Sequence, residues 1–184
     1  MQYITRKTTF DAGHRVMNEK MKCFNIHGHT YICELTFKFY DMEDIGYAVD
    51  FKEIKRVGCQ FIDDYFDHAF IANPEDKEMI KVNKKLGSKI WIMGLNGNGY
   101  CNPTAENISK ELFLSLHILF LGYPLLEIHK LRLWETPNCS VECYSTSFKD
   151  FEEVNFLGEH FDFINNYATK KGIINYDDRK DNKS

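Results

Sequence analysis

The chain has 184 residues, of which 43% are hydrophobic and 15% aromatic, and its formal net charge is −4. This apolar content can build a core and excludes wholesale disorder, and the length fits a single domain over residues 1–184. The weak negative charge argues against nucleic acid and anionic membranes as partners. The lack of a long apolar run predicts a cytoplasmic protein with reduced cysteines.

The N-terminal third of the chain predicts two strands and a helix. Residues 4–14 alternate in polarity, and residues 27–40 are rich in β-branched and aromatic side chains, as strands are. A helix begins after Asp50, which forms a capping-box pattern with Glu53 three residues later. The apolar face of this helix recurs at helical spacing, at Ile54, Val57, Phe61 and Tyr65.

Residues 73–102 form a predicted insertion between this helix and the next. The segment 89–93 is typical of a strand, and the glycine- and asparagine-rich segment 94–100 is typical of a turn. We therefore expect an insertion hairpin there. The core of the fold is expected over residues 3–144, with a C-terminal extension over residues 145–184, whose polar end should be frayed.

A second helix and two more strands complete the predicted core. The helix begins near Pro103 and ends at Gly122, and strands follow at 127–135 and 140–144. The order of elements predicts the α+β class, with an antiparallel four-stranded sheet and two helices on one face. The other face of the sheet then needs a partner, which a homo-oligomer can supply.

Three histidines form a candidate metal site. His27 and His29 flank a glycine in a predicted strand, so both side chains point to the same face. His14 ends the first predicted strand, and pairing of the two strands would bring all three imidazoles together. Three neutral imidazoles and one open position make a catalytic zinc site. Structural histidines bonded to the backbone are the alternative.

Cys23 lies four residues before His27, and two roles compete for it. As a fourth ligand, its thiolate would close the coordination sphere and make the zinc site structural. As an unligated thiol near Zn²⁺, it could act as a base or a nucleophile. The sequence does not choose between these roles.

Two carboxylates and one more histidine are further candidates. Asp67 can fix the tautomer of His68, although a helix-terminating pair is the simpler interpretation. Glu135 ends a predicted strand and can accept two hydrogen bonds from an aminopyrimidine edge, unless it is only an exposed carboxylate. Glu106 is interpreted as a capping residue, and Cys139 as a packing residue.

Taken together, these residues resemble a known family. The chain resembles the 6-pyruvoyl-tetrahydropterin synthase and 6-carboxytetrahydropterin synthase family over residues 3–144. Six motifs occur in the family's order: F-D-A-G-H (10–14), C-x-x-x-H-G-H (23–29), V-D-F (49–51), D-H (67–68), P-T-A-E-N (103–107) and W-E-T-P-N (134–138).

The resemblance implies the tunnelling fold and trimeric barrels that pair into homohexamers, with sites at protomer interfaces. It implies zinc on the three histidines, Cys23 as the proton acceptor, Asp67 and His68 as a relay, and Glu135 as the pterin anchor. The implied substrate is 7,8-dihydroneopterin triphosphate. Three residues separate Cys23 from His27, as in the bacterial carboxy-producing group. That group makes a queuosine precursor. In the animal pyruvoyl enzymes of the family, the gap between the cysteine and H-G-H is longer.

Two departures bear on substrate choice. The segment between residues 73 and 102 is longer than in the compact bacterial enzymes, and the extension after residue 144 is additional. The insertion lies between the Asp67-His68 pair and the second helix, where it could reshape the mouth of the pocket. A pyruvoyl product and a non-catalytic protein with a closed zinc site are therefore kept as alternatives.

Overall fold

The structure, a computed structural model, describes residues 1–95 and 101–173. Most of the predicted turn at 94–100 and the polar end predicted to fray lie outside these residues. The described strands form one sheet in the order β4-β3-β1-β2-β5-β6. Their bounds are β1 Gln2–His14, β2 His27–Phe39, β3 Ala69–Ala72, β4 Ile90–Ile92, β5 Glu127–Thr136 and β6 Cys139–Tyr144.

The helices begin and end where local capping residues permit. Asp50 accepts the backbone amide of Lys52 and caps the first helix, whereas Glu53 bonds Arg56 instead of completing the capping box. Thr104 caps the fourth helix through the amide of Asn107. The bounds are α1 Phe51–Ile54, a π-turn Lys55–Cys59, α2 Gln60–Tyr65, α3 Lys77–Leu86, α4 Ala105–Phe120 and α5 Asp150–Lys170. In the described residues, no helix is both long and apolar enough to cross a membrane.

The α+β class and the antiparallel core of the sheet are confirmed. Strands β1, β2, β5 and β6 pair antiparallel as neighbours, as the sequence predicts. Two more strands extend the sheet, because β3 pairs parallel with the end of β1 and β4 pairs parallel with β3. The described sheet therefore has six strands rather than four.

The predicted insertion hairpin is wrong. The chain between β3 and β4 forms helix α3, and the two strands run parallel, so the insertion contributes α3 and β4 and forms a strand–helix–strand unit with β3. Asp76 caps the start of α3, and Gly87 ends it with a left-handed backbone at φ +68°. A parallel pair needs a crossover connection, which α3 supplies.

One face of the sheet is buried and the other is polar. Alternate residues of β1 and β2 enter the core beneath the helices, where Gly58 lets the first helical segment approach Leu35 and Leu116. The intervening residues carry charges on the opposite face, such as Lys7 paired with Glu34. The buried face therefore holds the sheet to its helices. The same face continues beyond Phe10 toward the end of β1, and the three histidines lie on that part of it.

The C-terminal extension is ordered through α5 and packs on the core. Phe156, Ile164 and Tyr167 of α5 belong to the same hydrophobic cluster as the sheet. The insertion is fixed beside it by Glu111 of α4, a fully buried carboxyl that accepts hydrogen bonds from Trp91 Nε1 and from two backbone amides. Burial raises the pKa of Glu111 to about 7.

Candidate active site

Strand register brings the three histidines together. In the β1–β2 pair, His14 lies opposite His27 and Ala12 lies opposite His29. Directly opposed residues share a face, so the three imidazoles leave the sheet on the same side. One ring nitrogen from each histidine lies within 4.8 Å of the others. The predicted convergence of the three side chains is therefore present in the fold.

Backbone carbonyls fix the tautomers of two of these rings. His14 Nδ1 lies 2.6 Å from the carbonyl of Pro103, and His27 Nδ1 lies 2.7 Å from the carbonyl of Asn25. A carbonyl only accepts hydrogen bonds, so each Nδ1 carries the proton and each Nε2 keeps a free lone pair. Neutral imidazoles with free Nε2 atoms fit a divalent metal such as Zn²⁺.

Burial keeps His14 neutral. His14 is 1% exposed, and desolvation lowers its pKa to about 4. The nearby rings of His27 and His29 contribute to this shift in the same direction. The hydrogen bond to Pro103 opposes this shift without reversing it. A neutral ring needs no deprotonation before it can bind a metal, so His14 is prepared as a ligand at neutral pH.

We expect the metal-free protein to lose stability on acidification through His14. The pKa of His14 is 6.5 in the unfolded state and about 4 in the folded state. Its contribution to the free energy of unfolding is therefore fully present above pH 6.5 and is lost progressively as the pH falls to 4. The loss by pH 4.5 should be roughly 2–3 kcal/mol. Urea unfolding at pH 7 and 4.5 measures it. An equal fall in the His14→Gln variant would contradict this origin.

Tyr31 and Glu135 complete the surroundings of the histidines. Glu135 Oε1 lies 3.9 Å from His14 Nε2 and 4.0 Å from His29 Nε2, so its carboxylate faces two of the clustered imidazoles. The hydroxyl of Tyr31 lies 3.4 Å from His14 Nε2. Burial, with Glu135 and Cys23 nearby, raises the pKa of Tyr31 above its ordinary value, so the hydroxyl stays protonated.

Tyr31 was not identified from the sequence. It follows His29 by two residues in a predicted strand, and that period alone could have placed it beside the histidines. Its ring is fully buried and stacks on Phe10 at 4.9 Å, which resembles an ordinary core residue. Only its hydroxyl, which lies near His14 Nε2, shows that Tyr31 borders the histidine cluster.

Cys23 lies in a cleft next to the histidines. The cleft is about 250 Å³ in volume, and its lining includes His14, Cys23, Glu106, Glu135 and Cys139. Within the described residues, the ligand atoms that lie within 4.8 Å of one another come from the three histidines and include no cysteine sulfur. The geometry therefore favours Cys23 as a neighbour of the metal site.

Two residues of this cleft differ from their sequence interpretation. Thr104, not Glu106, supplies the capping hydrogen bond of α4, and Glu106 lines the cleft. Cys139 is exposed and lines the same cleft, so its assignment as a packing residue is wrong. The reason is its position at the first residue of β6, immediately after the turn that places Thr136 opposite it.

Asp67 and His68 bond each other but line a different depression. His68 Nδ1 lies 2.6 Å from Asp67 Oδ2, and the His68 side chain is 76% exposed. His68 borders a depression with Asp11 and Thr30, which lie on the outward face of the sheet, and with His29. Cys23 is not part of that lining. Within one chain, the structure does not bring His68 to Cys23.

The Asp67–His68 pair is rigidly held. The backbone amide of Asp11 donates to Asp67 Oδ1 at 2.8 Å, and the amide of His68 donates to the Asp11 carbonyl at 2.6 Å. Against the raising effect of burial, the Asp11 amide and the His68 ring lower the pKa of Asp67. His68 has a left-handed backbone at φ 57°, a conformation that costs energy and occurs often at functional sites.

Comparison with known proteins identifies the family to which this sequence is similar. A sequence model of the 6-pyruvoyl tetrahydropterin synthase family matches residues 3–146. A 6-carboxy-5,6,7,8-tetrahydropterin synthase from Rickettsia felis is 39% identical over 140 residues, which cover 75% of this chain and 96% of the relative. The enzyme of the same name from Haemophilus influenzae is 30% identical over 157 residues, covering 82% of this chain and 98% of the relative.

Solved structures match the fold. An uncharacterized protein from Wolinella succinogenes superposes with a TM-score of 0.62 at 19% identity, over 78% of this chain and 98% of its own. The 6-pyruvoyl tetrahydropterin synthase of Caenorhabditis elegans gives 0.55 at 20% identity, over 78% of this chain and 95% of its own. Together with the sequence matches, these findings show that the chain belongs to the 6-pyruvoyl tetrahydropterin synthase family.

Proposed function

We propose that this chain is a zinc-dependent 6-carboxy-5,6,7,8-tetrahydropterin synthase. It would convert 7,8-dihydroneopterin triphosphate and water to 6-carboxytetrahydropterin, acetaldehyde and triphosphate, a step in making a queuosine precursor. The observation that carries the proposal is the convergence of three imidazoles beside a cleft that holds the Cys23 thiol. That arrangement leaves an open metal position next to a proton acceptor.

The relatives and the position of Cys23 support the carboxy-producing reaction. The Rickettsia felis and Haemophilus influenzae proteins that match most of this chain carry the carboxy-producing name. The three-residue gap between Cys23 and His27 agrees with that group. Helix α5 lies beyond the family match and does not line the cleft.

Each residue then has a chemical role. Zinc, when bound, would supply Lewis acidity toward the side-chain oxygens of the substrate and make the attached C–H groups more acidic. Cys23 as thiolate accepts a proton from carbon, and His68, oriented by Asp67, moves the second proton. Glu135 accepts paired hydrogen bonds from the amino-pyrimidine edge of the pterin.

The relay in this mechanism requires a second chain. His68 and Cys23 border different surfaces of one protomer, so one protomer's His68 would have to face its partner's cleft. We therefore propose a homohexamer built as a dimer of trimers, with a relay at each protomer interface. Closed cyclic symmetry gives every cleft the same neighbouring pair.

A second candidate is 6-pyruvoyl-tetrahydropterin synthase activity, in which triphosphate leaves and the side chain is retained. A 6-pyruvoyl tetrahydrobiopterin synthase from Dictyostelium discoideum favours it, at 31% identity over 100 residues. That match covers 48% of this chain and 74% of the relative, less than the carboxy-producing matches do. A closed structural zinc site with Cys23 as fourth ligand is the non-catalytic alternative.

Product analysis separates these candidates. Purified protein with measured zinc content is incubated with 7,8-dihydroneopterin triphosphate, and acetaldehyde, triphosphate and pterin products are quantified. We expect acetaldehyde and triphosphate in equal amounts. Triphosphate without acetaldehyde would establish the pyruvoyl-type reaction, and neither product from a zinc-loaded protein would favour the structural site. A zinc–sulfur distance of ~2.3 Å, measured by X-ray absorption, would also favour the structural zinc site.

A further inference from the structure

The described residues of the insertion do not line the cleft, yet residues near both of its ends contact the loop that carries Cys23. We call residues 15–24 the Cys23 loop. Asp76 lies at the start of the inserted helix α3, and Asn102 lies at the end of the insertion. Both bond the Cys23 loop directly. None of the residues that line the cleft with Cys23 comes from positions 73–102.

Asp76 and Arg15 form a buried, two-pronged ion pair. Arg15 Nε lies 2.5 Å from Asp76 Oδ2, and the second guanidinium nitrogen lies 2.6 Å from Oδ1. The Asp76 side chain is 2% exposed and that of Arg15 15% exposed, so water screens the pair weakly. Fork geometry of this kind fixes orientation as well as distance.

The same carboxylate also begins α3. Asp76 accepts the backbone amide of Met79 at 3.2 Å, as an N-cap residue does. One side chain therefore joins the helix of the insertion to the Cys23 loop. Arg15 cannot move from its place without leaving a buried carboxylate unpaired, which is costly.

Arg15 transmits this constraint to Cys23 through two neighbouring contacts. The guanidinium of Arg15 lies over the ring of Phe24, 5.3 Å from its centroid. The next residue, Val16, donates its backbone amide to the carbonyl of Cys23 at 2.7 Å. Arg15 is adjacent to Val16 in the sequence, and Phe24 is adjacent to Cys23. Through these two contacts, the position of Arg15 sets that of Cys23.

Asn102 holds the same loop from the other end of the insertion. Its side-chain oxygen accepts the backbone amide of Met17 at 2.8 Å and the amide group of Asn73 at 2.9 Å. The following residue, Pro103, accepts the hydrogen bond of His14 at 2.6 Å. The insertion is thus connected to a metal-binding ring as well as to the loop of the thiol.

We propose that Asp76 is a positioning residue that sets the place of the Cys23 thiol through Arg15. The kinetic part rests on the proposed function, since it requires that Cys23 moves a proton in turnover. The geometric part does not, because thiol placement can be measured without substrate. Catalysis depends steeply on placement, and a shift of ~1 Å can cost on the order of 100-fold in rate.

Asp76→Asn tests this role with little change in shape. Asparagine remains a good N-cap, so α3 is retained, but it has no charge and cannot receive both prongs of Arg15. Glu75→Gln is the matched control, because it makes the same charge change one residue away on an exposed side chain whose carboxylate lies 3.9 Å from Lys77 Nζ. Arg15→Lys changes the other partner of the ion pair, because lysine keeps the charge but cannot make the paired hydrogen bonds of the guanidinium.

The zinc-loaded oligomer of each variant is compared in three measurements. These are zinc content, the rate of Cys23 alkylation by iodoacetamide resolved by peptide mass spectrometry, and kcat with KM. We expect Asp76→Asn to keep its zinc and KM, to change Cys23 alkylation several-fold, and to lower kcat by ~10-fold or more. Cys139, the exposed thiol of the same cleft, serves as internal reference and should react at an unchanged rate.

Arg15→Lys should match Asp76→Asn, and the double variant should be no worse than either, because both remove one interaction. Alkylation and kcat equal to those of Glu75→Gln would overturn the proposal, as would loss of zinc in both single variants, which would indicate general unfolding of the site. If the wild type shows no turnover, the proposed function fails, and the alkylation rates alone decide the positioning role.

Discussion

Replacing Cys23 by alanine is expected to abolish turnover while one zinc per chain remains bound. The thiol lies in the cleft with His14 and Glu135, but its sulfur is not among the ligand atoms that converge within 4.8 Å. The metal should therefore lose no ligand, whereas the reaction loses its first proton acceptor. Removal of a general base typically costs ~10²–10⁴-fold in rate.

The measurement pairs zinc content by plasma mass spectrometry with product formation from 7,8-dihydroneopterin triphosphate. Cys139→Ala is the matched control, since it removes a second thiol from the same cleft. We expect that variant to retain most of its activity. Zinc lost from Cys23→Ala would show that the thiol is a ligand, and equal losses of activity in both variants would show that cleft shape, not Cys23 chemistry, is responsible.

Mixing two inactive variants is expected to restore activity. In one protomer, His68 borders the outward depression and Cys23 borders the cleft beside the histidines, so the proposed relay joins neighbouring chains. In random mixed oligomers of Cys23→Ala and His68→Asn, about one site in four would combine an intact thiol with an intact imidazole across a cyclic interface. Activity should rise from near zero to about a quarter of wild type.

The choice of His68→Asn follows from the backbone. Residue 68 has φ 57°, and asparagine adopts this left-handed conformation more readily than alanine, so the loop should keep its shape. Co-expression with two affinity tags isolates the mixed oligomers. The control mixes Cys23→Ala with the double variant Cys23→Ala/His68→Asn and should stay inactive. No recovery in verified mixed oligomers would contradict a relay shared between chains.

The insertion shows where local sequence reasoning failed. Its last strand was predicted at 89–93 and lies at Ile90–Ile92. Its helix was missed, although Asp76 and Gly87 are ordinary start and stop residues. The hairpin was predicted from the strand-like segment 89–93 and the turn-like segment 94–100, and strand β3 was not predicted. The parallel pairing of β3 with β1 joins residues that are far apart in the sequence, so no short sequence pattern predicts it.

The histidine cluster was the part of the candidate site best specified by sequence. The two-residue spacing of His27 and His29 fixes their common face in any strand, and His14 ends the strand that pairs with theirs. Their tautomers were not predictable. Those depend on the carbonyls of Asn25 and Pro103, and Pro103 is 89 residues away from His14 in the chain.

The sequence by itself determined the elements whose signals are local: the strands of the antiparallel core, the Asp50 cap of the first helix, the histidine spacing and the family motifs. The tertiary structure decided which side chains meet. It placed the Tyr31 hydroxyl beside His14, put Glu106 and Cys139 in the lining of the cleft, and separated His68 from Cys23. The physical reason is that periodicity fixes the direction of a side chain within its own element, whereas distances between elements follow from packing of the whole core.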